Sequence, residues 1–472
     1  MITYKTVTPG LLEAREEIPC LDASMVFNAV RGSNDDPAFI FESKEIAEVY
    51  GRLSIIGIEP VLKLTGKDNQ YSLEKLNRRA EAFDLSSAAG AKNQVDQIRL
   101  FVEKNRLQQR VLLGLYGGFS YDFVRQFEDI GNSLPANDVN DYTLFLFDTF
   151  IFFDHLKQCA EIVIYRQTTQ EAEADLIALK TKLKSEISLP KEFSVTNTKF
   201  SFDQAEYEKL VRSGQELARQ GELFEVVFAN TLKANYQGDP FALYLHYRDR
   251  NPAPYLFYFN FGDEQLVGAS PEMMVRVENN RVHLRPISGT AKRGDDPVAD
   301  HQQMLNLLND PKERAELDML IDLGRNDLSR VCKPGLTISD YRFVEKYSRV
   351  MHTISHITGE LADDKIAFDA LTATLNAGTL TGAPKISAMQ AIEKHERERR
   401  GYYGGAIGYL TLANELNTGI IIRTAHLKNG SLNFKVGATL LYDSDPAAEY
   451  QETMAKAQAF LETIASLEKP NV

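Results

Sequence analysis

Tyr255-Leu256-Phe257-Tyr258-Phe259-Asn260-Phe261, Gln265-Leu266-Val267-Gly268-Ala269, Met273-Met274-Val275-Arg276-Val277-Glu278 and Arg281-Val282-His283-Leu284-Arg285 follow one another closely along the chain. Each is short and rich in aromatic or β-branched residues, as strands are. In the last, Val282, Leu284 and then Pro286 alternate with polar neighbours, the pattern of an antiparallel strand with one wet face. Helical patterns flank this run: one over 203–220, a long one starting near Pro311, and a closing one from about Pro446. Further strands are expected at 406–412, 419–427 and 432–436. Strands and helices thus come in runs. That predicts an α+β fold with antiparallel sheet, not a parallel doubly wound one.

The first half reads as mixed α/β. Segments 111–119 and 144–153 are apolar, aromatic and short enough to be buried strands, and Leu176, Leu179 and Leu183 give 168–187 a helical spacing. Leu189-Pro190-Lys191-Glu192 and the polar run to Lys199 mark the expected boundary between a segment 1–190 and a segment 200–466. The 472 residues, 43% hydrophobic and 25% charged, have the composition of a globular protein and more length than one simple core needs. No run approaches the roughly 18 apolar residues of a membrane span, and the start lacks the layout of a secretory leader. Cys20, Cys159 and Cys332 are odd in number and far apart, which fits neither a disulfide framework nor a zinc knuckle. A cytoplasmic location is expected. A net charge of −13 argues against a nucleic-acid partner but not against a small anionic ligand held by local cations.

Two helix starts are written alike. Asp310-Pro311 precedes Glu313 and Glu316; Asp445-Pro446 precedes Glu449 and Glu452. Asp stands at the N-cap and Pro at the first helical position, and glutamates three apart share a face. Taken alone, such acidic residues suit the helix macrodipole by roughly 0.3–1 kcal/mol each, and Asp310 with Glu313 can form a capping box. If the two starts converge, four carboxylates in one place call for a hard cation, and Mg²⁺ is the fitting ion.

The chain resembles the chorismate-utilising enzymes over about 200–465. The resemblance rests on Pro286-Ile287-Ser288-Gly289-Thr290-Ala291-Lys292-Arg293-Gly294, Asp322-Leu323-Gly324-Arg325-Asn326-Asp327-Leu328, Ala377-Gly378-Thr379-Leu380-Thr381-Gly382-Ala383-Pro384-Lys385, Arg400-Gly401-Tyr402-Tyr403-Gly404-Gly405-Ala406 and Asp443-Ser444-Asp445-Pro446. Through Glu42-Ser43, the tract from Gly51 to Gly57 and Gly117-Gly118-Phe119-Ser120-Tyr121-Asp122, the first half is similar to the N-terminal region of anthranilate synthases. The resemblance implies a two-lobed antiparallel sandwich with helices packed outside. It also implies that Glu313, Glu316, Glu449 and Glu452 hold Mg²⁺ against the ring carboxylate of chorismate.

Members of this family differ in their nucleophile. Those that use water carry a Lys where this chain has Glu225; those that use a Lys covalently carry it where this chain has Ser288. With both lysines absent, ammonia is the expected nucleophile, although Glu225 and Ser288 depart from the Gln and Ala usual in anthranilate synthases. His352 alone reads as an ordinary structural residue. Its matched tract implies that it moves the ring proton in pyruvate release, a task suited to imidazole. Glu272, otherwise a surface residue after a turn, matches the general acid for the departing hydroxyl. Arg423, read as a charge in mid-strand that needs a partner, matches with Tyr403 the holders of the enolpyruvyl carboxylate. Thr379, Gly437 and Lys456 match further site positions, and Gly437-Ala438-Thr439 departs from the usual Gly-Ala-Gly. Lys385 is either structural or a counterweight to the acidic site.

No cysteine sits in a glutaminase-like glycine-rich tract, so a separate glutamine amidotransferase subunit is the expected ammonia source, in a hetero-oligomer. Glu42, Ser43, Asn251, Pro252 and Tyr255 match the region where such enzymes bind tryptophan as an inhibitor. Gly378 to Lys385 lacks the spacing of a phosphate loop and has Ile386 where Ser or Thr would follow. The charge run from Glu393 to Arg400 reads as a solvated helix face. The competing readings are a 2-amino-2-deoxyisochorismate synthase, which releases no pyruvate, and a non-catalytic binding or regulatory member.

Overall fold

In the computed structural model, which describes residues 2–43, 53–86, 90–184, 188–190, 192–347 and 350–467, strand Tyr255–Asn260 runs between Ala38–Glu42 and Glu264–Ser270. Its side chains alternate between two cores. Phe257 and Phe259 face one, Leu256 and Tyr258 the other. Because both faces are covered, the strand reads as an unbroken apolar run with no polar alternation. Arg281–Leu284 exposes Arg281 and buries Val282, as its pattern predicts, but leaves Leu284 half-buried like His283.

Among the described residues the strands form two antiparallel sheets of 13 and 11 strands. The core between them is dense in aromatic rings. Phe39 of the first sheet stacks on Tyr116 of the second at 4.7 Å and on Phe259 at 5.3 Å. Helices Ala23–Val30, Thr169–Leu183, Pro240–Arg250 and Pro446–Leu467 cover the other face of the first sheet. Pro311–Ser329 packs Leu317, Ile321 and Leu328 against the second sheet. This is the expected α+β sandwich with external helices. No described helix is long and apolar enough to cross a membrane. Strands from both sides of residue 190 share each sheet: Ala38–Glu42 pairs with Tyr255–Asn260, and Gly114–Phe119 with Ala406–Thr411.

Helix Gln204–Arg219 starts at Asp203, whose side chain and that of Glu206 cap each other's backbone N–H. Two expected strands are broken. Segment 144–153 divides at Asp148 into Tyr142–Phe147 of the second sheet and Thr149–Asp154 of the first. The carboxylate of Asp148 is held at the turn by Arg79 at 2.8 Å and Arg166 at 3.2 Å. Segment 419–427 likewise divides, into Leu416–Ile420 of the second sheet and Thr424–Lys428 of the first. Periodicity missed both because a strand that switches sheets stays apolar throughout. Lys191, Gly51, Arg52, Ser348, Arg349 and the end of the predicted helix, 185–187, lie outside the described residues.

Candidate active site

Two neighbouring crossovers build the centre of the site. Glu264–Ser270 passes through Pro271 and Glu272 into Met273–Glu278 of the other sheet, while Leu416–Ile420 and Thr424–Lys428 run antiparallel beside them. Ile420 N–H donates to the Glu272 carbonyl at 3.0 Å, and Ala269 N–H to the Arg423 carbonyl at 3.1 Å. Arg423 therefore lies not in mid-strand but at a corner, with φ of 49°, a left-handed conformation that β-carbon residues seldom adopt. The pairing brings its guanidinium close enough to act on both Glu272 and His352. Thr379, in the short helix Gly378–Thr381, donates to Glu272 Oε1 at 3.0 Å. Burial pushes the Glu272 carboxyl up to about 7, against the Thr379 hydrogen bond and the Arg423 charge. A carboxyl so poised can hold and release a proton near neutrality.

His352 lies in Val350–Glu360, opposite a bulge in Ile287–Lys292. Pairing shifts register between Ser288 and Thr290, with Gly289 at φ of 59°. A Cβ on Gly289 would stand 2.7 Å from Glu313 Oε2 and 2.9 Å from Leu307 Cδ1, so a side chain there would displace both as well as strain the backbone. The bulge turns the Gly289 carbonyl onto His352 Nδ1 at 3.1 Å, with Thr290 Oγ1 at 2.9 Å. A carbonyl only accepts, so Nδ1 carries the hydrogen and Nε2 keeps its lone pair. Burial and Arg423 lower the imidazole pKa, while the Gly289 carbonyl and Glu345 oppose them. The ring is thereby held as a neutral base.

Both acidic helix starts form with the predicted caps. Asp310 Oδ1 accepts from Lys312 N at 2.8 Å and Glu313 N at 3.3 Å; Asp445 Oδ1 accepts from Ala448 N at 2.8 Å. Glu313 does not close a capping box with Asp310. Its Oε2 takes Ser288 Oγ at 3.4 Å instead. Glu313, Glu316 and Glu449 are all held above the ordinary carboxylate range, first by burial. Glu452, from the other helix, adds to the rise of both Glu313 and Glu316, so the two starts face each other. Lys456 bridges Glu452 at 2.7 Å and the Gly437 carbonyl at 2.8 Å. A Cβ on Gly437 would stand 2.9 Å from Tyr403 Oη. The Gly289 bulge thus lies between His352 and Glu313, and Lys456 ties Glu452 to the strand that carries Gly437, beside Tyr403.

These carboxylates suit a hard divalent ion. They are oxygen donors, and Glu449 Oε2 is buried with no hydrogen-bond partner. Among the described residues no three histidine, cysteine or carboxylate side chains are drawn together closely enough to hold an ion as they stand.

Glu42, Ser43 and Tyr255 line a separate, largely apolar cavity with Phe41, Leu53, Met273, Arg276 and Arg285. Glu42 is already engaged there, by Arg248 at 2.7 Å and by the Tyr244 hydroxyl. Asn251 and Pro252 do not line it; Asn251 ends the helix Pro240–Arg250, its Nδ2 on the Tyr247 carbonyl at 3.2 Å.

Lys385 pairs with Asp327 at 2.6 Å and is structural. The run from Glu393 to Arg400 is not a solvated helix face. Its helix ends at His395, and Arg400 is buried against Glu396 and the carbonyls of Leu380 and Val227. Sequence reasoning also missed what Glu225 does: burial and nearby Glu316 push its carboxyl up to about 8, and its Oε2 has no hydrogen-bond partner. An acidic residue inside an apolar strand was the available signal.

Held on an α+β frame, an acid, a neutral base and two facing acidic helix starts are groups an enzyme uses for proton transfer. A family model described as chorismate binding enzyme matches residues 36–462, and the chain belongs to that family. It is 36% identical to anthranilate synthase component 1 of Acetivibrio thermocellus over 448 residues, 90% of each chain. It is 35% identical over 457 residues to the protein of the same name from Pseudomonas aeruginosa, 92% of this chain and 91% of that one. The crystal structure of anthranilate synthase component I from Streptococcus pneumoniae TIGR4 matches with a TM-score of 0.76 at 32% identity, covering 88% of this chain and 93% of that one. MenF, the menaquinone-specific isochorismate synthase from Escherichia coli, shares the fold with a TM-score of 0.74 at 18% identity, covering 97% and 95%.

Proposed function

We propose that the chain is the ammonia-using large subunit of an anthranilate synthase, converting chorismate and ammonia into anthranilate, pyruvate and water. The observation that carries this reading is the facing of Glu313 and Glu316 with Glu452, together with an Arg423 charge that acts on both Glu272 and His352. Relatives bearing that name add support.

Glu313, Glu316, Glu449 and Glu452 would hold Mg²⁺, which when bound supplies positive charge for the ring carboxylate. Arg423 and Tyr403 grip the enolpyruvyl carboxylate, the guanidinium by paired hydrogen bonds. Protonated Glu272 gives its proton to the 4-hydroxyl. That group leaves as water while ammonia bonds to ring carbon 2 and the ring double bonds shift. The added nitrogen then loses its extra proton, which restores Glu272. His352 Nε2 takes the hydrogen from carbon 2, the bond from the ring to the enolpyruvyl oxygen breaks, and the proton passes to the side-chain methylene to release pyruvate. Thr379 holds Glu272 in place, and Lys456 offsets Glu452 and orients the Gly437 carbonyl.

A separate glutamine amidotransferase subunit would deliver the ammonia in a cytoplasmic hetero-oligomer. Tryptophan would occupy the apolar cavity as a feedback inhibitor, its indole among Phe41, Leu53 and Met273 and its carboxylate toward Arg276 and Arg285. The test is to mix the pure chain with chorismate, Mg²⁺ and ammonium at mildly alkaline pH. Anthranilate fluorescence and pyruvate should grow in equal amounts. An aminated ring without pyruvate would make it a 2-amino-2-deoxyisochorismate synthase, and unchanged chorismate would sink the reading.

A further inference from the structure

The apolar cavity and His352 share a wall. Arg285, Glu345 and Tyr347 line the cavity, and His352 does not. On its other side the Tyr347 ring meets the His352 ring edge to face, centroids 5.6 Å apart. The Tyr347 hydroxyl donates to Glu345 Oε2 at 2.8 Å, and the same carboxylate accepts from Arg285 Nη2 at 3.2 Å. Glu345 also sits directly opposite His352 in the strand register. The Tyr347 backbone is tied at both ends, its N–H to the Val350 carbonyl at 2.8 Å and its carbonyl to Arg293 Nη1 at 2.6 Å. A rearrangement there falls to the side chain.

We infer that Tyr347 is a positioning residue that carries the state of the apolar cavity to His352. The inference rests on the proposed role of His352 and on the proposed occupant of the cavity. An α-amino acid with a flat aromatic side chain brings a carboxylate that competes with Glu345 for Arg285. Once Arg285 is drawn away, the Glu345–Tyr347 hydrogen bond and the ring packed on His352 have a new preferred arrangement. The occupant biases that arrangement by as much as it prefers it, and no more.

L-tryptophan is the probe. The chain contains no tryptophan, so indole emission reports the ligand alone. Imidazole ¹⁵N signals, with His352 assigned from His352→Gln, report the far end without needing activity. In the wild type, tryptophan binding should move the His352 signals and slow pyruvate release. Tyr347→Ala should bind tryptophan within about threefold of wild type yet leave the His352 signals unmoved, weakening inhibition at least about fivefold. Without ligand it should release pyruvate about tenfold more slowly at a near-constant KM for chorismate, and Tyr347→Phe should recover most of that rate. Tryptophan moving His352 equally in Tyr347→Ala, or not binding the wild type, overturns the inference. Binding that moves His352 in a wild type forming no anthranilate supports the coupling and sinks the proposed activity.

Discussion

At the start of Pro311–Ser329, Glu313 and Glu316 are both steadied by the neutral hydroxyl of Ser288; burial raises both carboxyls, with Asp310 adding to the rise of Glu313 and Glu313 to that of Glu316. At the start of Pro446–Leu467, Glu452 has a cation at 2.7 Å, Lys456, while Glu449 keeps a buried oxygen with no hydrogen-bond partner. The written motif is the same: Asp cap, Pro, and two glutamates three apart. The first pair is crowded and raised; the second is half neutralised by Lys456. Local sequence builds two equivalent platforms, and the residues brought in from other elements decide how much charge each presents.

The largest expected effect lies outside both pairs. His352→Ala should lose pyruvate release by about 10²–10⁴-fold and keep amination, because both pairs remain. Single-turnover product analysis checks this, and equal loss of both steps would break the division of labour. Next, Glu316→Gln should lower kcat/KM for chorismate by about 10²–10³-fold. Glu452→Gln should lower it by a factor nearer ten, since Lys456 already offsets that charge; equal losses in Mg²⁺-titrated assays would erase the contrast between the helix starts.

Burial, with charge crowding added to it, also predicts a pH effect. Glu225 rises from 4.5 to about 8, so the folded chain binds that proton more tightly than the unfolded one. Stability is fullest below about 4.5 and falls as pH rises through about 8. Glu225→Gln should remove that slope and gain about 1–3 kcal/mol at pH 9 by denaturant titration. Glu313, Glu316 and Glu449 have the same sign. Mg²⁺ should therefore raise the Tm more at pH 8 than at pH 5. The smallest effect tests the likeness of the two starts. Asp310→Ala and Asp445→Ala should each cost about 1 kcal/mol, and unequal losses in calorimetry would show that the caps differ too.

Much of this was legible beforehand, and the failures share a cause. Strands around Tyr255 and Met273, helix Gln204–Arg219 and both capped helix starts follow from neighbours within a few residues. The strand expected through Arg423 failed because the chain changes sheets there without changing its apolar character. Glu393 to Arg400 was misread because Arg400 finds its acceptors in Val227 and Leu380, which no local pattern reveals. Asn251 and Pro252 adjoin the cavity in sequence, yet the helix end turns Asn251 to Tyr247.

Residue order alone supplied the antiparallel α+β class, the paired glutamates on one helical face and the family likeness, because periodicity, capping and motif spacing are short-range properties. The folded chain decided the rest: the twin crossovers that join Glu272 to Arg423, the Gly289 bulge that sets the His352 tautomer, and the raised carboxyls of Glu225 and Glu316. Those depend on burial and on charges from distant segments, and electrostatic energies in a dry interior are set by what lies within a few ångströms in space, however far apart along the chain.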